Sequence, residues 1–153
     1  MLVELELCGP KGTGQLEIWQ RCLEIVQRDN EMLLEAMLRA GRPVPDTVEE
    51  LGLPYVPPTA FEARNDRQRV SGLGGMLDRG SFSCGDAAPF EAAVLVVKYG
   101  VPARAVPRML PSPRDPAAVL LHAQYETPNG TVDPVARWLE AHGRGHEVWE
   151  AAR

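Results

Sequence analysis

Lysine is almost missing from this chain. Only Lys11 and Lys98 occur, so arginine carries nearly all of the positive charge. The formal net charge is −5 over 153 residues, which leaves no basic excess to meet a nucleic-acid backbone. Cysteine is scarce as well. Cys8, Cys22 and Cys84 are the full set. No two of them stand as C-x-x-C, and an odd number argues against a disulfide framework. A reducing compartment is the natural setting. No charged-then-apolar leader opens the chain, and no apolar run approaches membrane-spanning length. The expectation is a soluble protein, cytoplasmic when made, with neither membrane nor nucleic acid among its partners.

Apolar residues make up 44% of the chain, enough for a normal core and too many for a disordered segment. Met1 to Cys8 alternates apolar and charged residues, which predicts a half-buried strand. Gly9 to Gly14 is a glycine-rich loop, but Gln15 and Leu16 stand where a phosphate loop needs Lys and Ser or Thr. Gln15 to Ala40 predicts one long helix, or two joined near Asp29 and Asn30. Leu16, Trp19, Leu23, Val26, Leu33 and Met37 form its apolar face. Ile18, Cys22 and Ile25 widen that face, so the helix is also a candidate surface for assembly into a larger complex. Five prolines between Gly41 and Ala60 predict an extended connector, with a short helical turn over Asp46 to Leu51. The expected organisation is therefore residues 1–60 as strand, helix and connector, and 61–153 as the core domain.

Phe61 to Val70 predicts a short helix. The glycines of Ser71 to Gly80 predict a flexible loop that could admit a substrate. Arg64, Arg67, Arg69 and Arg79 make a local basic cluster, expected to be a solvated face. Val101 to Pro116 is proline-rich, so any strand there is short or at an edge. Ala117 to Thr127 predicts a strand, and Pro128-Asn129-Gly130 turns it into a hairpin. Val135 to Ala141 predicts a short helix. Trp138 and Trp149 read as core or interface anchors. His142 and His146 have an H-x3-H spacing, but the glycines between them spoil a rigid ligand helix. No metal and no cofactor is expected.

The chemistry-bearing stretch is Gly80 to Tyr99. Asp86 serves as an N-cap, or as the far end of a Ser83-x-x-Asp86 capping box, and Gly100 is a C-terminal stop. Cys84 then lies in the first turn of a helix, or on the turn that enters it, as Pro89 favours. A thiol there sits among unpaired N–H groups and the positive end of the helix dipole, which favour thiolate. The same N–H groups could hold an oxyanion, and Gly85 leaves room beside the sulfur. As a buried hydrophobe, Cys84 would serve packing alone. His122 and Asp133 lie on the two arms of the hairpin. If they share a face, Asp133 can orient one imidazole nitrogen and leave the other for the Cys84 proton. That supplies nucleophile, base and orienter.

The run S-C-G-D-A-A opening a helix, then a strand histidine, then G-x-V-D-P, resembles the papain-like and transglutaminase-like cysteine hydrolases. The resemblance covers roughly Asp78 to Leu139. It implies an α+β fold in which an antiparallel sheet packs against a helix that begins at the nucleophilic cysteine. It implies Cys84 as nucleophile, His122 as base and Asp133 as orienter, acting on a peptide or protein substrate. Papain-like peptidases carry a glutamine some six residues before the cysteine as an oxyanion donor. Asp78 stands there in this chain, so Gln68 and Gln124 are the remaining glutamine candidates. The resemblance implies an acyl hydrolase or transferase. The alternative is a weak or inactive module built into a larger particle, as small members of the superfamily are met among phage structural proteins and secreted effectors.

Overall fold

The computed structural model describes residues 2–6, 13–57, 67–111 and 119–145. Cys8, Phe61, Arg64, His146 and Trp149 lie outside them. Among the described residues the fold is α+β, with four helices and two antiparallel sheets. Strand β1 (Leu2–Glu6) pairs with β2 (Arg67–Ser71). Strands β3 (Arg104–Pro111), β4 (Val119–Thr127) and β5 (Gly130–Val132) form the second sheet in that order. The helices are α1 (Thr13–Arg39), α2 (Leu73–Arg79), α3 (Cys84–Tyr99) and α4 (Pro134–Ala141).

Helix α1 is continuous through Asp29 and Asn30, and its inward face is the expected one at Trp19, Cys22, Leu23 and Val26 but departs from it at Leu33, Ile18 and Ile25. Trp19, Leu23, Val26 and Leu34 are fully buried, while Leu33, Ile18 and Ile25 are 40%, 48% and 51% exposed. Apolar residues surround much of this helix, so their spacing alone did not choose the face. The buried Asn30 took an inward position that no apolar pattern marks. Its Oδ1 accepts from the Leu73 N–H at 2.8 Å, which fixes the start of α2.

Helix α3 is buried without a break from Cys84 to Val94. A helix this apolar all round needs neighbours on every side. It has α1, α4, and strands β3 and β4. Trp19, Leu23 and Val26 share one core with Ala87, Phe90, Ala123 and Trp138. The residues before 60 therefore do not have a core separate from those after it.

Three local expectations are corrected. Arg67 to Val70 extends as strand rather than helix. The glycine-rich stretch is helix α2, not an open loop. Two of its four glycines answer to packing: a Cβ on Gly75 would lie 2.6 Å from Ser71 Cβ, and one on Gly72 2.8 Å from Asn30 Oδ1. The predicted turn narrows to a single 3-10 turn, Glu49–Leu51. Asp46 does not cap it, because its carboxylate goes to Lys98 and Tyr99, at 2.5 and 2.7 Å.

Strand β3 tolerates its prolines because it is an edge. Helix α1 covers that edge with glutamines. Gln27 Oε1 accepts from the Ala105 N–H, and Gln27 and Gln20 donate to the Ala103 and Ala105 carbonyls, all at 2.9–3.0 Å. The hairpin forms about Pro128 and Asn129, with Thr127 opposite Gly130. Gly130 has φ of 127°, which a side chain would resist.

Candidate active site

Cys84 is the first residue of α3. Gly80, at φ 67°, ends α2 and turns the chain, and two further residues reach the N-cap Ser83. Phe82 pairs with the connector there: its N–H donates to Pro54 O at 3.1 Å, and its carbonyl accepts from the Val56 N–H at 2.9 Å. The capping box is the form the helix start takes. Asp86 is wholly buried. Its Oδ2 accepts from Ser83 N–H at 2.8 Å and from Arg79 Nη2 at 2.6 Å. Its Oδ1 accepts from the Ser71 N–H at 2.6 Å and the Ser71 hydroxyl at 3.0 Å. One carboxylate thus ties β2, α2 and the start of α3 together, and Cys84 sits two residues away. Arg79 belongs to this buried knot rather than to a solvated basic face.

Pro89 lies inside α3 despite the helix starting at Cys84. It costs only the ladder bond to Gly85 O, one turn in, and the neighbours that bury α3 on all sides hold the helix through it.

His122 and Asp133 meet. His122 Nε2 lies 2.6 Å from Asp133 Oδ2. Asp133 is also the N-cap of α4, where its Oδ1 accepts from the N–H groups of Val135 and Ala136 at 3.1 and 3.0 Å. The helix start therefore aims the other oxygen at the ring. Cys84 is near enough to His122 to favour the charged imidazole. With Nε2 facing Asp133, Nδ1 is the ring nitrogen left to the thiol. The structure brings Cys84, His122 and Asp133 together, with Cys84 and His122 only 7% and 8% exposed.

Burial works against a charge on His122. The Asp133 bond and the adjacent Cys84 outweigh it and raise the imidazole to about 10. Asp133 responds in the opposite sense. Burial would raise its carboxyl, but the His122 bond and charge hold it below the usual carboxylate range. For Cys22, 6% exposed, burial pushes the thiol up.

The other sequence candidates are placed differently. Gly85 offers no open space: a Cβ there would lie 3.3 Å from both Trp19 Cη2 and Val70 Cγ2. Its side is filled by core, so only its backbone faces the helix entrance. Gln124 donates to Asp133 Oδ2 at 3.3 Å, which makes it a supporter of the acid. Gln68 lies in β2 opposite Leu5. His142 stacks on Trp138 at 3.9 Å, and its Nδ1 meets the Trp138 carbonyl at 2.8 Å. No group of three or more metal-ligating side chains stands among the described residues. No helix there is long and apolar enough to cross a membrane.

Sequence reasoning missed Trp19, Ser71 and Arg79 as builders of this site. Trp19 was visible only as one apolar residue in a helix. Arg79 and Ser71 lie seven and fifteen residues before Asp86, with no motif to join them. Comparison with protein-family models, with curated proteins and with solved structures finds no match.

Proposed function

We propose that the protein is a thiol acyl hydrolase or transferase acting on peptide, amide or glutamine-type bonds. The observation that carries this is the juxtaposition of Cys84, His122 and Asp133, with the thiol at a helix N-terminus. The Cys84 sulfur, its proton taken by His122, attacks the acyl carbon. The carbonyl electrons move onto oxygen, and the amides at the start of α3 are the nearest preorganised donors for that charge. Collapse forms a thioester and expels the amine, which takes its proton from the imidazolium. Water or a second amine then attacks the thioester and regenerates the thiol.

The test is adduct formation. A peptide thiol-reactive acylating probe should label Cys84 faster than Cys8 or Cys22, as read by mass of the tryptic fragments. Cys84→Ala should remove the adduct while the protein still melts cooperatively. Labelling spread evenly over the three thiols would reject the proposal. A structural module within a larger assembly is the second reading. It is favoured by the outer face of α1, where Ile18, Ile25 and Met32 recur every seven residues at 48%, 51% and 65% exposure. Under that reading Cys84 is a packed residue, and its change to Ala costs stability without loss of any activity.

A further inference from the structure

We propose that a groove between α1 and β3 leads substrate to Cys84, and that Arg108 at its inner end selects an acyl group bearing a carboxylate. The inference rests on the acyl-transfer reading and names its substrate class. It begins with strand register. Arg108 stands directly opposite His122, Val106 opposite Gln124, and Arg104 opposite Glu126. Directly opposed residues of an antiparallel pair put their side chains on one face, with Cβ atoms about 5 Å apart. One sheet face therefore carries His122, Gln124 and Glu126 alongside Arg108, Val106 and Arg104.

A cavity of about 540 Å³ lies over the β3 half of that face, with Leu16, Gln20 and Arg21 of α1 as its far wall. Neither Cys84 nor His122 lines it. Arg108 does, and it is the cross-strand neighbour of His122. Its strand position links the groove to the histidine, while its guanidinium reaches along the strands to Glu126 and would swing back to meet an acyl group at Cys84. Its side chain is 45% exposed and holds Glu126 at 3.0 Å. Exposed ion pairs of this kind are weak, so the guanidinium is free to exchange one carboxylate for another. Glu126 is four residues from His122 along β4, about 13 Å away, and also faces Arg104 at 3.8 Å. The groove acid Glu24 is held by Gln20 at 3.0 Å. Glu17 stands one helical turn before Arg21. Of the charged residues that line the groove, Arg108 is the one whose strand position stands opposite His122, and its planar fork matches a carboxylate.

The experiment compares two esters of equal leaving group, mono-4-nitrophenyl glutarate and 4-nitrophenyl butyrate. In each, the sulfur–carbon bond forms, the carbon–oxygen bond breaks, and nitrophenolate departs with the electron pair. The thiol proton remains on His122. The wild type should be acylated about tenfold faster by the glutarate ester. Arg108→Gln should bring the ratio near one, Arg108→Lys should keep part of it, and Arg108→Glu should favour the ester of 4-aminobutyrate. The ratio of iodoacetate to iodoacetamide alkylation at Cys84 should fall in the same order. Acylation of Cys84 at equal rates by both esters, or a ratio unmoved in Arg108→Gln, overturns the assignment of Arg108. If neither ester acylates Cys84, the acyl-transfer reading falls and this inference falls with it.

Discussion

Asp133 divides its two carboxylate oxygens between two partners, and that division separates catalysis from folding. Oδ1 caps α4 and Oδ2 faces His122. Asparagine keeps an acceptor for the cap but gives up the charge beside the ring. Asp133→Asn should therefore keep the cap and lose only the stability linked to His122, whereas Asp133→Ala should cost about 1 kcal/mol more through the lost cap. Turnover should fall by a factor on the order of 10² or more in both. A thermal melt and a rate per folded molecule separate the two effects. The pH dependence follows the same pair. A histidine whose folded value is raised stabilises fully below its unfolded value, about 6.5. That contribution is lost as pH rises through the folded value, about 10 here. Urea unfolding of the wild type should show stability falling across this window, and the slope should flatten in Asp133→Asn. At this scale the sequence was legible where residues sat in one short motif. Ser83 and Asp86, three apart, announced the capping box, and the hairpin brought His122 and Asp133 near each other. Gln124 was weighed as an oxyanion donor because sequence shows no direction. Which of its neighbours it bonds depends on the strand face, and that emerges only with the register.

The short helix α2 shows at the level of the element why the glycine-rich stretch was misread. Glycine signals both loose backbone and close approach, and sequence does not distinguish them. Here Gly72 and Gly75 are where Asn30 and Ser71 come in close, while Gly74 faces open space. The contrast is testable within one helix. Gly74→Ala should stabilise the protein by about 0.5–1 kcal/mol, the usual gain of alanine over glycine in an exposed helix position. Gly75→Ala should gain the same propensity and lose more, because its Cβ would sit 2.6 Å from Ser71 Cβ. That shift would disturb the Ser71 bonds to Asp86 and so the start of α3. Chemical denaturation should give opposite signs for the two variants. Two stabilising results would show that Ser71 yields easily and that Asp86 does not depend on its position. The strand elements were easier to foresee. Proline marked β3 as an edge, and Pro128 and Asn129 marked the hairpin, because both signals are local backbone chemistry. The face of α1 was not local. It was decided by which residues had partners on α3 and β3.

The whole molecule is joined at a second polar centre, remote in sequence and absent from any motif. Arg137 of α4 donates to Glu49 of the connector at 2.8 Å through two nitrogens and to Glu91 of α3 at 2.5 Å. Glu91 is 2% exposed and also accepts from the Val48 N–H at 3.0 Å. The connector, read from its prolines as a strap over the domain, is fixed here to the two helices that carry Cys84 and follow Asp133. Removing the arginine leaves Glu91 buried beside a second carboxylate. Arg137→Met should cost on the order of 2 kcal/mol, less than a wholly buried pair because the arginine side chain keeps 38% exposure. If the loss comes from the stranded charge, Arg137→Met with Glu91→Leu should recover most of it, since the buried carboxylate is gone and the one left, Glu49, reaches water. If it comes from lost packing of the connector, the double variant should be no better than the single one. Equilibrium unfolding of the four proteins in this cycle decides between them. Probe labelling of Cys84 on the same set adds the functional consequence. A stable double variant that labels at the wild-type rate would show the polar centre holds the fold alone, while slowed labelling at restored stability would show that it also sets the relation of α3 to α4, and so of the thiol to the histidine and its acid.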